Sequence, residues 1–364
     1  MSDRILITGG AGFIGRHVAF ALLRRGHRVR VLDNLIEQVH GDAPLPMLAD
    51  IELQVGDIRD GAALEQALRG IDKVVHLAAE VGVGQSMYAV DRYVSVNDHG
   101  TAVLMQALTR WPVQRVIVAS SMSIYGEGLY RSVDGEIVED AVRPDGGWDP
   151  LDRHGRPLQP LPTPESKRPS LASVYALTKY VQERLTLTVT AAYGMQGVAL
   201  RLFNVYGPGQ ALSNPYTGVL AIFAARLLNG RPPVLFEDGH QRRDFVHVTD
   251  VAEAFALALE HPNAAGGVYN VGSGCERSVL QIAQLLGKAM DRPGIAPEIT
   301  GQLRSGDIRH CFADVSKAAA ELGFVARRPF AEGLAELAGW LADQRAEDRV
   351  MQARRELDAR GLVA

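Results

Sequence analysis

The chain has 364 residues, 47% hydrophobic and 22% charged, a globular composition that excludes wholesale disorder. Its net charge of −4 comes with no strongly basic block, which argues against nucleic acid as a partner. Cys275 and Cys311 are the only cysteines and sit in no metal-ligand pattern, so a reducing compartment is expected, with no disulfide framework and no metal.

The chain opens directly on RILITGG, with no basic segment and apolar stretch before it. No apolar run reaches the roughly 18 residues needed to span a bilayer. A soluble, cytoplasmic protein without a membrane partner is expected. In chain order, residues 4–7 read as a buried strand. Residues 13–25 follow as a helix, with Ile14, Val18, Ala21 and Leu22 at helical spacing. Further strands are expected at 29–32, 51–55, 73–77 and 115–119, with helices at 62–68 and 97–108 between them. Strand alternating with helix predicts an α/β fold built on a doubly wound parallel sheet.

Residues 128–169 break this rhythm with Asp134-Gly135, Gly146, Gly147 and seven prolines. A loop this long is a lid over a cleft or a solvated insertion, and the sequence leaves both open. After Pro208 a helix is expected at 219–228 and short strands at 234–236 and 268–271, which suggests a smaller C-terminal lobe. The expected division is a first domain at 1–203 carrying the 128–169 insertion, and a second lobe mainly at 204–341, some of whose segments return to the first. A charged tail at 342–364 reads as a surface helix.

The motif GGAGFIG follows the first strand and opens the first helix, the context in which a glycine fingerprint has meaning. Gly9 permits the tight turn, Gly12 lets backbone approach a pyrophosphate, and Gly15 lets the helix lie close to the strand. The helix N-terminus then offers N–H groups to phosphate. Asp33, followed by Asn34, ends the second strand, where a carboxylate can bind the adenosine ribose hydroxyls. It would repel a 2′-phosphate, so NAD is favoured over NADP.

Tyr175 and Lys179 lie four apart and share a helix face. A lysine ammonium and a positive nicotinamide would lower the tyrosine pKa and make a phenolate base plausible near neutral pH. The run Ser120-Ser121-Met122-Ser123 ends the strand starting at Arg115, where doubly wound sheets bind ligands. A hydroxyl there can hold a reacting sugar oxygen or merely serve the backbone.

At these residues the chain resembles the extended short-chain dehydrogenase/reductases of Rossmann fold, and within them the nucleotide-sugar epimerases and dehydratases, from Ile5 to about Leu341. The resemblance implies Ser121, Tyr175 and Lys179 as the catalytic set. It implies NAD contacts from the glycine turn with Phe13 and Ile14, from Asp57 and Ile58 near the adenine, and from Leu77, Ala78 and Ala79 at a strand end. Asn97 would lie below the cofactor. Substrate contacts would come from Val81, Ser123 and Val219, from Asn204 and Arg243 to the diphosphate, from Arg304 and Asp307 to diphosphate and ribose, and from Phe236 beside the base. The family usually has glycine where this chain has Glu237, which implies altered base recognition. A homodimer is implied by the same analogy.

The segments VGVGQSMY, SSMSIYGEGLY, QALSNPYTGV and GDIRHCFAD look closer still to bacterial dTDP-L-rhamnose 4-epimerases. That resemblance implies conversion of dTDP-L-rhamnose to dTDP-6-deoxy-L-talose through a transient 4-ketosugar. Val81, Val83 and Met87 would face the 6-deoxy methyl group, and Cys311 falls where epimerases vary residue size to gate bulky sugars. A UDP-sugar 4-epimerase acting on UDP-glucose/galactose or UDP-glucuronate, or a decarboxylase, remains an alternative. The family's 4,6-dehydratases carry an Asp-Glu pair where this chain has Met122-Ser123, which argues against dehydration. A cofactor-bound regulator without catalysis is the non-enzyme alternative, and the intact Ser121, Tyr175 and Lys179 argue against it.

Overall fold

The computed structural model describes residues 2–40, 51–139, 141–144, 146–212, 214, 216, 218–304, 306–344, 346 and 348–363. Parts of three sequence readings, the QALSNPYTGV segment at 213, 215 and 217, the insertion at 140 and 145 and the tail at 345, 347 and 364, lie outside the described residues.

The expected parallel sheet is present and has seven strands. Their order is Val268–Val271, Gln196–Leu202, Arg115–Ser121, Lys73–His76, Arg4–Thr8, Arg28–Asp33 and Ile51–Val55. Ile5 pairs with Val29 on one side and Lys73 on the other. Alternate residues feed different cores. Ile5, Ile7, Val75 and Ile117 join the cluster that includes Val18 and Leu22 of helix Phe13–Arg24 and Val251 and Phe255 of helix Val248–Glu260. Leu6, Val74 and Val116 join the opposite cluster with Leu104 and Leu108 of helix Gly100–Arg110. Burial on both faces is why these strands read as unbroken apolar runs rather than alternating ones.

Most expected boundaries hold to within a residue or two, and two departures matter. The helix expected at 97–108 is helix Gly100–Arg110, entered through a wider π turn at Val94–His99. The strand Val268–Val271, expected near the second lobe, pairs in parallel with Gln196–Leu202 and closes one edge of the large sheet.

The remaining C-terminal elements build a smaller sheet. Arg242–His247 pairs in parallel with Asn204–Tyr206 and His310–Cys311 and antiparallel with Glu276–Ser278. Phe223, Phe245, Ile282 and Leu337 sit in the core beside it. The segment 128–169 does contain regular structure: Leu129–Arg131 lies between the antiparallel strands Ile137–Val138 and Gln159–Leu161. Tyr130 and Leu158 are buried there. It is fastened to the C-terminal lobe, with Gly128 N–H donating to His310 O at 2.7 Å and Thr163 N–H to Phe312 O at 2.8 Å.

Candidate active site

The first strand delivers the chain into the glycine turn, and each glycine there has its own reason. Gly9 has φ of 69°, and a Cβ on it would lie 2.7 Å from the Ala78 nitrogen. A Cβ on Gly15 would lie 2.5 Å from the Gly9 oxygen. At Gly12 the nearest protein atom would be 3.3 Å away, so the protein alone crowds it less. Gly12 caps helix Phe13–Arg24 without any side-chain hydrogen bond. That leaves the first-turn N–H groups for a ligand. A cavity of about 310 Å³ opens at this point, lined by the glycine turn, Phe13, Ile14, Asp33, Asn34, Ile58, Leu77, Ala78, Ala79 and Val81 and, at its far end, by Ser121, Tyr175 and Lys179. An uncapped helix end, a buried carboxylate and an apolar floor together fit a dinucleotide.

Asp33 does more than face the cavity. Its Oδ2 accepts the Ala11 N–H at 3.0 Å and its Oδ1 the Leu35 N–H at 2.9 Å. The carboxylate therefore also holds the glycine turn. Asp57 does not line the cavity. Arg59 grips it through Nε at 2.9 Å and Nη2 at 2.7 Å, which pulls its pKa down to about 2. Asn97 is fully buried and also off the cavity wall. Its Oδ1 accepts the Glu80 N–H at 2.7 Å, and its Nδ2 donates to Glu80 O at 3.1 Å and Thr178 Oγ1 at 3.0 Å. It ties the strand-end loop to the helix that bears Tyr175.

That helix, Val174–Ala192, starts where Ser173 Oγ accepts the Ala176 N–H at 3.1 Å. Tyr175 is half-buried with access to the cavity, and Ser86 Oγ accepts its backbone N–H at 3.0 Å. Ser121 ends the central strand. Its Oγ accepts from Ser123 N–H at 3.1 Å and Ser123 Oγ–H at 2.9 Å, and it hydrogen-bonds the Tyr175 phenol.

The charge state differs from the sequence expectation. Enclosure by the cleft raises the Tyr175 pKa, and the Ser121 bond only partly offsets this. Lys179 does not act on the phenol here. Its buried ammonium donates to Gln182 Oε1 at 2.5 Å, and burial pushes its pKa down to about 7, opposed by the charges of Glu183 and Asp98. A phenolate therefore needs a positive charge brought by the cofactor, or a lysine released from Gln182.

Gln182 is a residue that sequence reading missed. Its Nε2 donates to Thr101 Oγ1 at 2.8 Å and Ala78 O at 3.3 Å and lies 3.1 Å from His76 Nε2. Burial drops the His76 pKa to about 3, so this ring is neutral, and its Nδ1 lies 2.8 Å from Thr8 Oγ1. The available signal was position: Gln182 follows Lys179 by three residues and shares its helix face. Glu183, also missed, accepts from Ser120 Oγ at 2.6 Å and from Arg201 Nη2 at 2.8 Å in a buried pair behind the strand end.

None of the residues expected at the nucleotide end, Asn204, Val219, Phe236, Arg243, Arg304 and Asp307, lines that cavity, and neither does Ser123. Asn204 Nδ2 donates to Asp244 O at 3.0 Å, and Val219 opens helix Val219–Leu228. Arg243 spends its donors on the carbonyls of Arg242, Ile308 and Arg309. Arg304 pairs with Asp307 through Nη2 at 2.7 Å, and its guanidinium lies 5.2 Å from the centre of the Phe236 ring. Glu237 has φ of 54°, as a glycine position would, but its buried carboxylate is held at 2.5 Å by Arg143 and at 2.8 Å by Arg309. Both oxygens are thus committed to arginines. Cys311 is buried among Met122, Tyr125, Phe203 and Ala313. Among the described residues no cluster could hold a metal, and no helix is long and apolar enough to cross a membrane.

Residues 5–272 match the NAD dependent epimerase/dehydratase family. The chain belongs to that family. It is 35% identical to the dTDP-L-rhamnose 4-epimerase of Burkholderia thailandensis, over 94% of this chain and 95% of that protein. Among solved structures it resembles the UDP-glucose 4-epimerase of Thermus thermophilus in complex with NAD, at 32% identity and a TM-score of 0.73, covering 93% of this chain and 99% of that one. It also resembles MoeE5 in complex with UDP-glucuronic acid and NAD, at 33% identity and a TM-score of 0.75, with the same coverage of each chain. In this member of the family the glycine turn, Asp33, Ser121, Tyr175 and Lys179 lie around one cavity.

Proposed function

We propose that this family member is a nucleotide-sugar 4-epimerase, converting dTDP-L-rhamnose to dTDP-6-deoxy-L-talose through a 4-ketosugar. The observation that carries the reading is the convergence of Ser121, Tyr175 and Lys179 on one cavity, with a thioether and a hydroxyl at 122 and 123. Removing water across C5 and C6 needs an acid and a base that these two side chains do not supply.

Bound NAD would supply the acceptor and donor of a hydride at the sugar carbon, with no net consumption of cofactor. Tyr175 accepts the proton from the O4 hydroxyl and gives it back to the ketosugar oxygen. Ser121 holds that oxygen and the phenol together. Lys179, freed from Gln182, holds the nicotinamide ribose and lowers the cost of the phenolate. Asp33 holds the adenosine ribose, and the first turn of helix Phe13–Arg24 holds the pyrophosphate. Asn204, Arg243 and Arg304 hold the diphosphate, Asp307 the ribose and Phe236 the base, which requires Arg243 to leave some of its carbonyl partners.

The deoxysugar is favoured by Val81, the apolar residue of its loop that lines the cavity, and by the similarity to the Burkholderia enzyme. UDP-sugars are the second reading, because MoeE5 was solved with UDP-glucuronic acid. The test offers dTDP-L-rhamnose, UDP-glucose and UDP-glucuronate in parallel and follows anomeric protons by NMR. Higher kcat/KM with either UDP sugar would overturn the deoxysugar and leave 4-epimerisation standing. The protein is also proposed to be a cytoplasmic homodimer, a stoichiometry that light scattering on the purified protein checks.

A further inference from the structure

The charged tail ends on the active-site rim. Helix Val350–Asp358 buries only Ala353 and Leu357, four residues apart. Leu357 faces Gly84, where an added Cβ would lie 3.5 Å from its Cδ1. Glu356 Oε2 accepts the Tyr88 phenol at 2.7 Å and the Tyr216 phenol at 2.8 Å, and the two phenol oxygens are 2.5 Å apart. These bonds hold the Glu356 carboxyl below its ordinary pKa. The Arg360 guanidinium lies 4.3 Å from the centre of the Tyr88 ring. Arg354 donates to Gln302, and Val363 forms an antiparallel bridge with Arg304.

These partners are not a random patch. The loop that includes Gly84 and Tyr88 also contains Val81 in the cavity wall and Ser86, which accepts the Tyr175 N–H. Tyr216 packs so closely on it that a Cβ at Gly82 would lie 2.8 Å from the Tyr216 Cβ. Arg304 and Gln302 come from the nucleotide side. One short helix thus fastens three segments around the site. It does so mainly through polar contacts and two small apolar anchors, the profile of an element that opens locally well below the global unfolding energy.

Resting on the nucleotide-sugar reading, we propose that the C-terminal helix is a strap over the sugar end of the cleft. Glu356 is its positioning residue and sets the Val81–Tyr88 loop through Tyr88 and Tyr216. The strap acts on the part of the substrate beyond the diphosphate, so it distinguishes a nucleotide sugar from a bare nucleoside diphosphate.

The test uses the full chain with Glu356→Ala and, separately, Tyr88→Phe. With the best substrate from the parallel assay, KM should rise about tenfold while kcat stays within about threefold, the signature of lost binding shared by ground and transition states. Affinities for NAD and dTDP should stay within about twofold of the unaltered protein. Equal weakening of dTDP and nucleotide sugar, or an unchanged KM, would overturn the strap. A second readout needs no turnover: hydrogen exchange of residues 350–363 should slow on adding the nucleotide sugar and much less on adding dTDP. No slowing with dTDP-L-rhamnose, UDP-glucose or UDP-glucuronate also overturns it. Absence of turnover by the unaltered protein overturns the epimerase reading alone.

Discussion

Lys179 and Gln182 are joined by a 2.5 Å hydrogen bond on one face of the same helix, and this bond commits the ammonium proposed to assist Tyr175 to a different partner. The lysine pKa falls from 10.5 to about 7 because the ammonium is buried. Between those two pH values the unfolded chain binds more protons than the folded one, so this group makes stability rise with pH across that window. Below about pH 7 its contribution is constant. Urea unfolding of the cofactor-free protein should therefore show a steeper rise from pH 7 to 10 than Lys179→Met shows, by on the order of 3 kcal/mol. Parallel profiles would mean that the lysine is not buried as charged.

Tyr175→Phe keeps the ring packing and removes the proton acceptor. Turnover should fall by about a hundredfold or more, with nucleotide-sugar binding largely retained. Stopped-flow or NMR turnover beside calorimetric binding separates the two. Near-normal turnover would assign the base to another group.

Asp33 both lines the cavity, where it is proposed to hold the adenosine ribose, and accepts the Ala11 N–H. Asp33→Ala should weaken NAD by about tenfold and narrow the preference for NAD over NADP. Asp33→Asn, which keeps an acceptor oxygen for the turn, should recover thermal stability more than it recovers NAD selectivity. Tighter NADP than NAD binding by the unaltered protein would defeat the assignment.

Glu237 sets backbone preference against charge. Its positive φ would welcome glycine, yet Glu237→Gly leaves Arg143 and Arg309 with fewer counter-charges in a buried place. The charge loss should win, with a net destabilisation of about 1–3 kcal/mol in urea unfolding. The 128–169 segment, which Arg143 helps to fasten, should become more sensitive to protease. A variant more stable than the parent would show that the pairs contribute less than the backbone strain.

Met122 and Ser123 predict the reaction type. No nucleotide glucose should yield a 4-keto-6-deoxy product, read as loss of the mass of water. Its accumulation would restore the dehydratase alternative.

The parallel sheet was legible because its central strands are buried on both faces, and the glycine turn because it lies between a strand and a helix. That Tyr175 and Lys179 share a helix face was legible from their spacing, but reading them as a site needed the glycine turn, Asp33 and the serine run as well, and both do line the cavity. What spacing cannot carry is side-chain partner choice: Lys179 donates to Gln182, and burial raises the Tyr175 pKa where the sequence reading, with a lysine and a nicotinamide beside the phenol, expected it lowered. The strands of the 128–169 segment are two or three residues long, too short for periodicity among so many prolines and glycines. Glu356 is one charge among many in the tail, and nothing local marks it as the acceptor for Tyr88 and Tyr216. The placement of Val268–Val271 depends on pairing with a strand some seventy residues earlier, for which a sequence has no nearby sign.

That last pairing has a consequence for how the protein is made. On the ribosome, Gln196–Leu202 emerges long before Val268–Val271 is available to cover it. A nascent chain halted near residue 203 carries a bare apolar strand edge, the kind that recruits other chains. Expressed alone, residues 1–203 should collect in the insoluble fraction, and extension through residue 272 should reduce this by supplying the missing strand. Sedimentation of the two fragments checks it. The segments on either side of residue 203 are thereby committed to one sheet, so a cut there severs strands that complete each other.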